Sequence, residues 1–448
     1  MTQEEEIANL RAENQDLRAQ LQAALARIEE LERKAKEPPS FVKANVTKAK
    51  DTKVRKKRKP EENGARRREE PTQIVEHRIE QCPACGLRLG GISLARRRQV
   101  IEVPPPPPVE VIEHQVYKGW CNGCQKWREA PLDLQGQVVG QGRVGVRVAS
   151  LIATLRTVLR VPMRQIQLFL KSVHGLTISA GEISELLSRS TIQMQAEVEA
   201  IKAAMRTSPA VQADETGWRE NGRNGYVWSA NTPSLRYYEY HHSRGQEVVK
   251  DLLGESFEGV LGSDFYAAYN IHQGLHQRCW VHFLRDIHEL KKLHPDDAEL
   301  WQWAKEVKQV YECAKAAQAG DAQVPATKQH AQRLALQHAC EQELWKVCAP
   351  YAHTQAPMHT LCKRVERFLP ELFVFVAYPG VPSHNNLAER SVRPLVITRK
   401  ISGGTRSPQG SQTRMGLASL FGTWMAQGLN PFFQCLSVLS SQSSLGQV

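Results

Sequence analysis

The first stretch of the chain, residues 4–35, places apolar residues with the seven-residue period of a coiled coil. One apolar position of the repeat holds Ile7, Asn14, Leu21 and Ile28, and the other holds Leu10, Leu17, Ala24 and Leu31. A single Asn in the first set fixes a parallel two-stranded register at some cost in stability. The pattern predicts a coiled-coil dimerisation helix over residues 1–37 and hence a homodimer. The alternative is one amphipathic helix packed on the rest of the protein.

Residues 38–75 are predicted to form a flexible basic linker. Pro38 and Pro39 end the preceding helix, and residues 43–70 carry twelve Lys or Arg against five Asp or Glu. Because the segment is poor in apolar residues, it has no core to fold around. Its charge suits contacts with DNA phosphates that do not depend on base sequence, and a solvated tether is the alternative.

Residues 76–132 contain two C-x-x-C pairs. They are Cys82 with Cys85 and Cys121 with Cys124. Four thiolates at this spacing can surround one Zn²⁺ tetrahedrally, which leaves no position for a substrate. Alternating apolar residues predict strands at 100–103 and 109–116, on either side of five consecutive prolines. The segment therefore predicts a zinc ribbon with a structural ion, and unrelated reduced cysteines are the alternative.

Residues 138–207 change to the period of helices. The apolar pattern from Met163 to Val173 predicts one helix, and Gly175 breaks it. Ser179 followed by Glu182 predicts a capping box at the start of the next helix. Two helices joined by a short Gly turn favour a helix-turn-helix that contacts DNA, although an ordinary helical hairpin fits the same pattern.

Residues 208–283 have the two-residue period of strands. Three strands are predicted at 210–214, 226–230 and 235–240, a helix at 246–253 and a further strand at 259–264. This order is the opening of a ribonuclease-H-like sheet, in which the first and fourth strands lie side by side. Asp214 ends the first strand and Asp264 ends the fourth, so the two carboxylates are predicted to meet.

The rest of the sequence predicts mainly helices. Residues 284–378 form an all-helical insertion, residues 379–402 complete the core, and residues 403–448 form a C-terminal helical segment. On a helix Asn385, Glu389 and Arg393 share one face, and Pro394 is expected to end that helix near Arg393. A surface helix with an ion pair between Glu389 and Arg393 is the competing interpretation.

Composition limits the class of protein. The 448 residues carry a net charge of +12 with a pI near 9.2, which favours an anionic partner such as nucleic acid. No apolar run reaches the roughly 18 residues of a membrane span, and the polar N-terminus is unlike a signal peptide. Ten cysteines without such a signal indicate a reducing compartment, so a cytoplasmic, nucleoid-associated protein without membrane partners is expected.

Four motifs stand in order along the chain. They are QADETGW around Asp214, GVLGSDFYAAYN around Asp264, CWVH at 279–282 and NNLAERSVRPLVITRK around Glu389. Together they resemble the DDE transposases of bacterial insertion-sequence family sixty-six, the TnpC type. The resemblance implies a multidomain α+β protein whose ribonuclease-H-like α/β catalytic core carries an all-helical insertion. It also implies DNA cleavage and strand transfer between the element's terminal inverted repeats and target DNA, with accessory transposition proteins.

The resemblance further implies that Asp214, Asp264 and Glu389 hold two Mg²⁺ (or Mn²⁺) ions, with Asp214 bridging them. The residues expected to hold phosphates are Arg390, Arg393, Arg399 and Lys400. Their alternative is pairing with surface acids, although no acid follows Glu389 in the sequence. Cys279, Trp280 and His282 are predicted to support the site structurally, and metal binding by Cys279 and His282 is the alternative.

Two other functions remain open on the sequence alone. One is a non-catalytic zinc-ribbon and helix-turn-helix regulator with a decayed core, and the other is a ribonuclease-H-like nuclease that cuts DNA without joining it. The intact set of three acids argues against the regulator.

Overall fold

The computed structural model describes residues 20–22, 68–91, 93–106, 109–318 and 326–441. They belong to two compact units, residues 1–103 and residues 104–448. Apart from a helical turn at 20–22, the predicted dimerisation helix lies outside the described residues, and so does the predicted basic linker up to residue 67. The homodimer therefore stays a prediction.

Each C-x-x-C pair forms a tight turn in its own unit. In the first unit the Gly86 amide donates to the Cys82 carbonyl at 2.8 Å. In the second unit β1 (Lys118–Cys121) and β2 (Lys126–Glu129) form an antiparallel hairpin, and Cys124 lies in its turn. Both turns have the short reversal that a C-x-x-C metal knuckle requires.

Residues 100–103 and 109–116 form no strands, so the two strands predicted there are wrong. Their apolar side chains are exposed, with Val100 at 81% and Val111 at 86%. Apolar alternation produces a strand only where one face is buried and a neighbouring strand shares its hydrogen bonds. The prolines at 104–108 have no N–H groups to give to such a ladder. The hairpin of this segment begins after them.

The helices described between residue 109 and the main sheet are α1 (Val146–Thr157), α2 (Met163–His174), α3 (Ala180–Gln193) and α4 (Gln195–Arg206). The turn between α2 and α3 has the predicted form, because Gly175 is left-handed (φ 69°) and Ser179 Oγ accepts the Glu182 amide at 3.0 Å. The capping box is half formed, since the Glu182 carboxylate binds Arg143 at 3.0 Å instead. Contact of these helices with DNA stays a prediction.

The main sheet consists of β3 (Ala210–Glu220), β4 (Arg223–Asn231), β5 (Arg236–His241), β6 (Val260–Ser263) and β7 (His276–Arg278). Helix α5 (Gln246–Leu253) follows β5 with the predicted bounds. The strand order is β5-β4-β3-β6-β7. Strands β3, β4 and β5 are antiparallel neighbours, whereas β6 runs parallel to both β3 and β7.

Two strands of this sheet differ from the prediction. Strand β3 continues for six residues beyond Asp214, so the predicted end at Asp214 is wrong. Apart from Trp218 the extension has no large apolar residue, and it persists because it pairs with β4 down to Glu220 opposite Arg223. Strand β7 has three residues with polar side chains and therefore carries no apolar signal in the sequence.

The helices after the sheet are α6 (Trp280–Leu293), α7 (Ala298–Gln318), α8 (Ala326–Ala352), α9 (His359–Leu372), α10 (Val374–Ala377), α11 (Asn386–Ser402), α12 (Pro408–Ala426) and α13 (Pro431–Ser441). Helices α7 to α10 lie in the predicted helical insertion. In the described part of the chain, every helix is too short or too polar to cross a membrane.

Both faces of the sheet are covered. Val211 and Ala213 of β3 belong to a core shared with α1 to α5, α12 and α13. Trp218 belongs to the opposite face, where it packs with Leu395 of α11 and Met415 of α12. A separate core fills the insertion, and its buried aromatic side chains include Trp280, Trp303 and Phe373.

Helix α12 covers the edge strand β5. The Tyr238 amide donates to Ser419 Oγ at 2.9 Å, and the Arg236 amide donates to Thr423 Oγ1 at 2.9 Å. Side-chain hydroxyls thus satisfy strand amides that would otherwise be available to another chain.

Helix α11 continues through Pro394, so the predicted end of this helix near Arg393 is wrong. A proline inside a helix removes one backbone hydrogen bond and costs about 3 kcal/mol. Packing offsets that cost, because Leu395 is buried and Arg399 donates to a carbonyl of β3. The helix ends at Gly403, whose left-handed backbone (φ 72°) closes the last turn.

The side chain of Gln277 on β7 joins the sheet to the insertion. It donates to the Leu372 carbonyl at 3.0 Å and accepts the Phe375 amide at 2.8 Å, and Gln277 is 2% exposed. We expect Gln277→Leu, which keeps the volume and loses these bonds, to lower the free energy of unfolding by about 2–4 kcal/mol. Urea denaturation followed by tryptophan fluorescence measures it. Exposed Gln273→Leu is the control, and equal stability of the two variants would contradict the expectation.

Candidate active site

Strands β3 and β6 bring the two predicted aspartates together. Their parallel register pairs Gln212 with Gly262, and the same register two residues further on places Asp214 beside Asp264 on one face. Both aspartates are half-buried. Asp214 lies inside the long strand β3, whereas Asp264 directly follows the end of β6.

The start of α11 is fixed against the same strand. The Asn385 side chain donates to the Ala213 carbonyl at 2.7 Å, and the Leu387 amide donates to the Gln212 side chain at 3.2 Å. Asn385 is 2% exposed, so the first of these bonds is shielded from water. Glu389 lies in the first turn of this helix, which these bonds hold beside β3.

Asp214 is the electrostatic centre of the acidic cluster. Burial raises its pKa most, the negative charge of Glu215 is the next cause, and the charges of Asp264 and Glu389 add to it, giving a pKa of about 7. A hydrogen bond from the Glu215 amide acts in the opposite direction. Since the charges of Asp264 and Glu389 both act on Asp214, the three sequence-predicted acids lie in the same region of the structure. Among the described residues, however, Glu389 has its potential ligand atom within 4.8 Å of those of Cys279 and His282, and the three acids are not gathered that closely.

The cluster has oxygen donors free for a cation. Asp214 Oδ1 accepts the Glu215 amide at 3.0 Å, and Asp264 Oδ1 accepts the Tyr266 amide at 2.8 Å. Within the described ranges, no Lys or Arg forms an ion pair with either aspartate. Carboxylates that repel one another and have no cationic partner fit a hard divalent ion such as Mg²⁺.

The sequence pattern did not indicate a further acid, Glu215, whose side chain is 3% exposed. Arg244 binds it at 2.6 Å, and the Tyr269 hydroxyl donates to it at 2.5 Å. Because neighbours in a strand face opposite sides, Glu215 lies behind the face of Asp214 and raises the Asp214 pKa through its charge. The sequence did contain a signal for this buried acid: two consecutive acids lie in a predicted strand, so one of the two side chains must face the core.

Arg278 was also missed. Its guanidinium is 1% exposed and donates to the Asp264 carbonyl at 2.8 Å, to Asn270 Oδ1 at 2.6 Å and to Glu371 Oε2 at 2.6 Å. It therefore connects the loop after β6 to α9 of the insertion. No sequence signal pairs Arg278 with Glu371, because 93 residues separate them.

The start of α6 contains Cys279, Trp280 and His282. Cys279 Sγ accepts the Asn385 amide at 3.2 Å, and the Trp280 amide donates to the Ser383 carbonyl at 2.9 Å. His282 Nε2 lies 3.6 Å from Glu389 Oε1. All three residues thus contact the segment that carries Glu389.

The four predicted phosphate contacts differ in their surroundings. Arg390, Arg393 and Lys400 are exposed on α11. Helical geometry places Arg393 and Lys400 on the same stripe as Glu389, four and eleven residues further along. Arg399 is half-buried, and its guanidinium donates to the Gly217 carbonyl, so in this structure it anchors α11 on β3.

The sulfurs of the C-x-x-C pairs accept backbone amides. The amides of Ala84 and Cys85 lower the pKa of Cys82, and the Cys124 amide, 3.4 Å from Cys121 Sγ, lowers the pKa of Cys121. Amides directed at sulfur stabilise the thiolate, which is the form that binds zinc. Each pair is suited to zinc within its own unit, and the shared four-cysteine site stays a prediction.

Comparison with known proteins identifies the family to which this chain is similar. The profile of the Transposase IS66 family matches residues 141–413. Two proteins of Sinorhizobium fredii (strain NBRC 101917 / NGR234) are similar to this chain. The uncharacterized protein y4qI is 24% identical over 431 residues, which is 88% of this chain and 76% of that protein. The uncharacterized protein y4jD is 24% identical over 398 residues, which is 82% of this chain and 75% of that protein.

The mixed α/β core and this match define a DNA-processing protein of the transposase class. The matched residues, 141–413, are more than half of the chain, and the protein belongs to the Transposase IS66 family. The resemblance seen in the four sequence motifs is therefore confirmed. Membership of this family implies that the protein binds DNA and takes part in the transposition of a mobile element.

The raised pKa of Asp214 predicts how stability depends on pH. An acid whose pKa is 3.8 when unfolded and about 7 when folded destabilises the fold as pH rises through that interval. Without Mg²⁺, we expect Asp214→Asn to be more stable than wild type at pH 8 by about 2–4 kcal/mol, and by only about 1 kcal/mol at pH 4.5. Thermal unfolding at both pH values measures this. Asp251→Asn, at an exposed aspartate, is the control, and a stability difference independent of pH for Asp214→Asn would contradict the prediction.

Proposed function

We propose that this transposase cleaves the ends of its element and joins them to target DNA with Asp214, Asp264 and Glu389 as its catalytic acids. The observation that carries the proposal is the docking of α11 on β3, which brings the charge of Glu389 onto Asp214. In the sequence, the whole helical insertion separates Glu389 from Asp214 and Asp264. Cleavage chemistry needs the three acids close together.

The strand order supports a ribonuclease-H-like core. Three antiparallel strands are followed by a helix and then by two strands parallel to the first. The helical insertion follows β7, and α11 returns to the first strand of this sheet. The sequence pattern predicted the first three strands, the helix and the fourth strand of this arrangement, and the structure adds β7 to them.

Asp214, Asp264 and Glu389 would hold two Mg²⁺ or Mn²⁺ ions, with Asp214 shared between them. Ions bound there would activate an attacking oxygen and stabilise the leaving oxygen of a phosphodiester. In the proposed reaction water attacks at each element end and releases a 3′-hydroxyl, which then attacks a phosphodiester of the target. Joining by the 3′-hydroxyl needs no covalent bond between protein and DNA.

The chain itself contributes orientation. Arg278 and the Tyr266 amide fix the loop that carries Asp264, and Asn385 fixes the start of α11. Cys279 and Trp280 hold the segment before α11 from the other side. In this proposal these contacts would orient the acids before DNA arrives and so reduce the reorganisation needed when the phosphate binds.

The exposed stripe of Arg393 and Lys400 supports a DNA path that leads away from Glu389 along α11. Both side chains are without a charged partner in the described part of the chain. Arg390 is exposed beside the stripe and is proposed to join it. Charged side chains on one helix face bind the phosphates of a strand whose scissile bond lies at the acids.

The N-terminal parts are proposed to bind and organise DNA. The pairs Cys82–Cys85 and Cys121–Cys124 would share one structural Zn²⁺, and α2 with α3 would form the helix-turn-helix. The heptad of residues 4–35 would pair two copies of the chain, as the two ends of an element require. Accessory transposition proteins remain a proposal from the family resemblance.

The acidic cluster predicts a separation of binding from cleavage. We expect Asp214→Ala to bind element ends about as tightly as wild type and to lower Mg²⁺-dependent cleavage by about 10³-fold or more, because the shared ligand is lost. Purified protein, a mini-element, a target plasmid and Mg²⁺ provide the assay. The exposed variant Asp251→Ala is the control. Persistent cleavage by Asp214→Ala would contradict the metal-site proposal.

The same assay separates the alternatives. A nuclease that does not join would give cut ends without insertion into the plasmid. A regulator with a decayed core would bind the ends and leave wild-type DNA intact.

The basic stripe predicts a salt-dependent contribution to DNA binding. We expect the double variant Arg393→Ala/Lys400→Ala to bind DNA about tenfold more weakly and to reduce the slope of log K against log salt by about 2. Lys346→Ala is the control, because that lysine is already paired with Glu343 at 2.5 Å. Fluorescence anisotropy with labelled duplex at several salt concentrations measures both quantities. An unchanged slope would show that the stripe does not contact phosphates.

A further inference from the structure

Cys279, His282 and Glu389 form a cluster whose chemistry differs from that of the three acids. One ligand atom from each residue, a thiol sulfur, an imidazole nitrogen and a carboxylate oxygen, lies within 4.8 Å of the other two. Cys279 is the residue before α6 and His282 is in its first turn, so the C-x-x-H spacing points both toward α11. Glu389 enters from α11.

The cluster is not satisfied by its own hydrogen bonds. His282 Nε2 and Glu389 Oε1 are 3.6 Å apart, which is too long for a hydrogen bond. Glu389 Oε1 and His282 Nδ1 are both buried and have no hydrogen-bond partner among the described residues. A buried carboxylate oxygen without a partner is costly, and a cation between these atoms would remove the cost.

The separation fits tetrahedral coordination by a transition metal. Zn–N and Zn–O bonds of about 2.0–2.1 Å at a tetrahedral angle place the two ligand atoms about 3.3 Å apart. The observed 3.6 Å is close to that value, and small side-chain movements suffice to reach it. Burial raises the pKa of the Cys279 thiol, whereas the backbone amides of Asn385, His282 and Val281, which are directed at its sulfur, act in the opposite direction and would stabilise a metal-bound thiolate.

The ligand set selects the class of metal. Thiolate and imidazole together favour Zn²⁺, whereas Mg²⁺ takes oxygen ligands and avoids sulfur. The His282 and Glu389 side chains are 27% and 34% exposed, so an ion has a path from solvent, while Cys279 closes the inner side. Three protein ligands leave a fourth position for water.

We propose that Cys279, His282 and Glu389 form a Zn²⁺ site that competes with the Mg²⁺ site for Glu389. Binding replaces the Cys279 S–H bond by an S–Zn bond, and the thiol proton passes to solvent. A zinc ion there holds Glu389 away from Asp214 and Asp264, so zinc inhibits DNA cleavage. The inhibition rests on the proposed catalytic role of Glu389, but the binding of zinc does not.

Direct metal counting tests the site independently of activity. Full-length protein carrying zinc on the C-x-x-C pairs is dialysed against micromolar free Zn²⁺, and bound zinc is measured by elemental analysis. Wild type is expected to hold one ion per chain more than Cys279→Ser or His282→Gln. Cys435→Ser, at another buried cysteine, is the control and is expected to match wild type. Equal zinc content in wild type, Cys279→Ser and His282→Gln would overturn the proposal.

Two variants are used because Cys279 is buried and its replacement by Ser could prevent folding. His282 is partly exposed, so His282→Gln is compatible with folding and still removes a ligand. Circular dichroism identifies any unfolded variant.

Linkage tests the shared ligand. If one carboxylate serves both metals, Mg²⁺ must weaken zinc binding at this site, and the effect must be lost in Asp214→Ala. Zinc is expected to lower the cleavage rate of the wild type at least tenfold. For each variant, the cleavage rate with zinc is divided by its own rate without zinc, and this ratio is expected to approach one in His282→Gln. Zinc binding that ignores Mg²⁺ would overturn the competition. Absence of wild-type cleavage with Mg²⁺ alone would instead refute the proposed function and leave the zinc count valid.

Discussion

The contact between helix α11 and strand β3 is the constraint on which the rest of the site depends. It consists of the bond from Asn385 to the Ala213 carbonyl, the bond from the Leu387 amide to Gln212 and the bond from Arg399 to the Gly217 carbonyl. Neutral hydrogen bonds of this kind contribute about 1 kcal/mol each and charged ones about 1.5–3, so the three together contribute about 3.5–5 kcal/mol. That is comparable to the cost of a proline inside the helix, so α11 continues past Pro394 and stays docked on β3, where sequence rules alone would end it.

The same contact assembles an arrangement that opposes folding. Docking α11 brings Glu389 toward two aspartates, and burial beside Glu215 and these charges raises the pKa of Asp214 to about 7. Such a cluster is destabilising until cations bind, and proteins retain it where function requires it. The bonds of Asn385 and Arg399 are made to backbone carbonyls, so they hold the helix without neutralising any of the acids. The helix is therefore held in place while Asp214, Asp264 and Glu389 form no ion pair with a Lys or Arg among the described residues.

Much of this arrangement was predictable from sequence, and the errors have definite causes. The strand that carries Asp214, the strand that ends just before Asp264 and helix α5 between them were predicted, because the apolar period, the turn residues and the element lengths agree there. The prediction of strands at 100–103 and 109–116 was wrong, since an alternation of apolar residues does not indicate whether a partner strand exists. The end of α11 was wrong because tertiary contacts of Leu395 and Arg399 outweigh the local effect of Pro394. Glu215 and Arg278 were missed because their partners lie far away in sequence.

The helical insertion is part of the site and not an appendage to it. Strand β7 is the shared element. Gln277 binds backbone atoms of α9 and α10, and Arg278 binds both Glu371 of α9 and the carbonyl of Asp264. From the other side, Tyr311 of α7 is 2.9 Å from the hydroxyl of Ser383, two residues before Asn385. The insertion therefore holds both the loop that carries Asp264 and the segment that leads to Glu389. A change in the packing of the insertion must therefore shift the positions of both Asp264 and Glu389. Asp214 lies inside β3 and is held by the sheet itself.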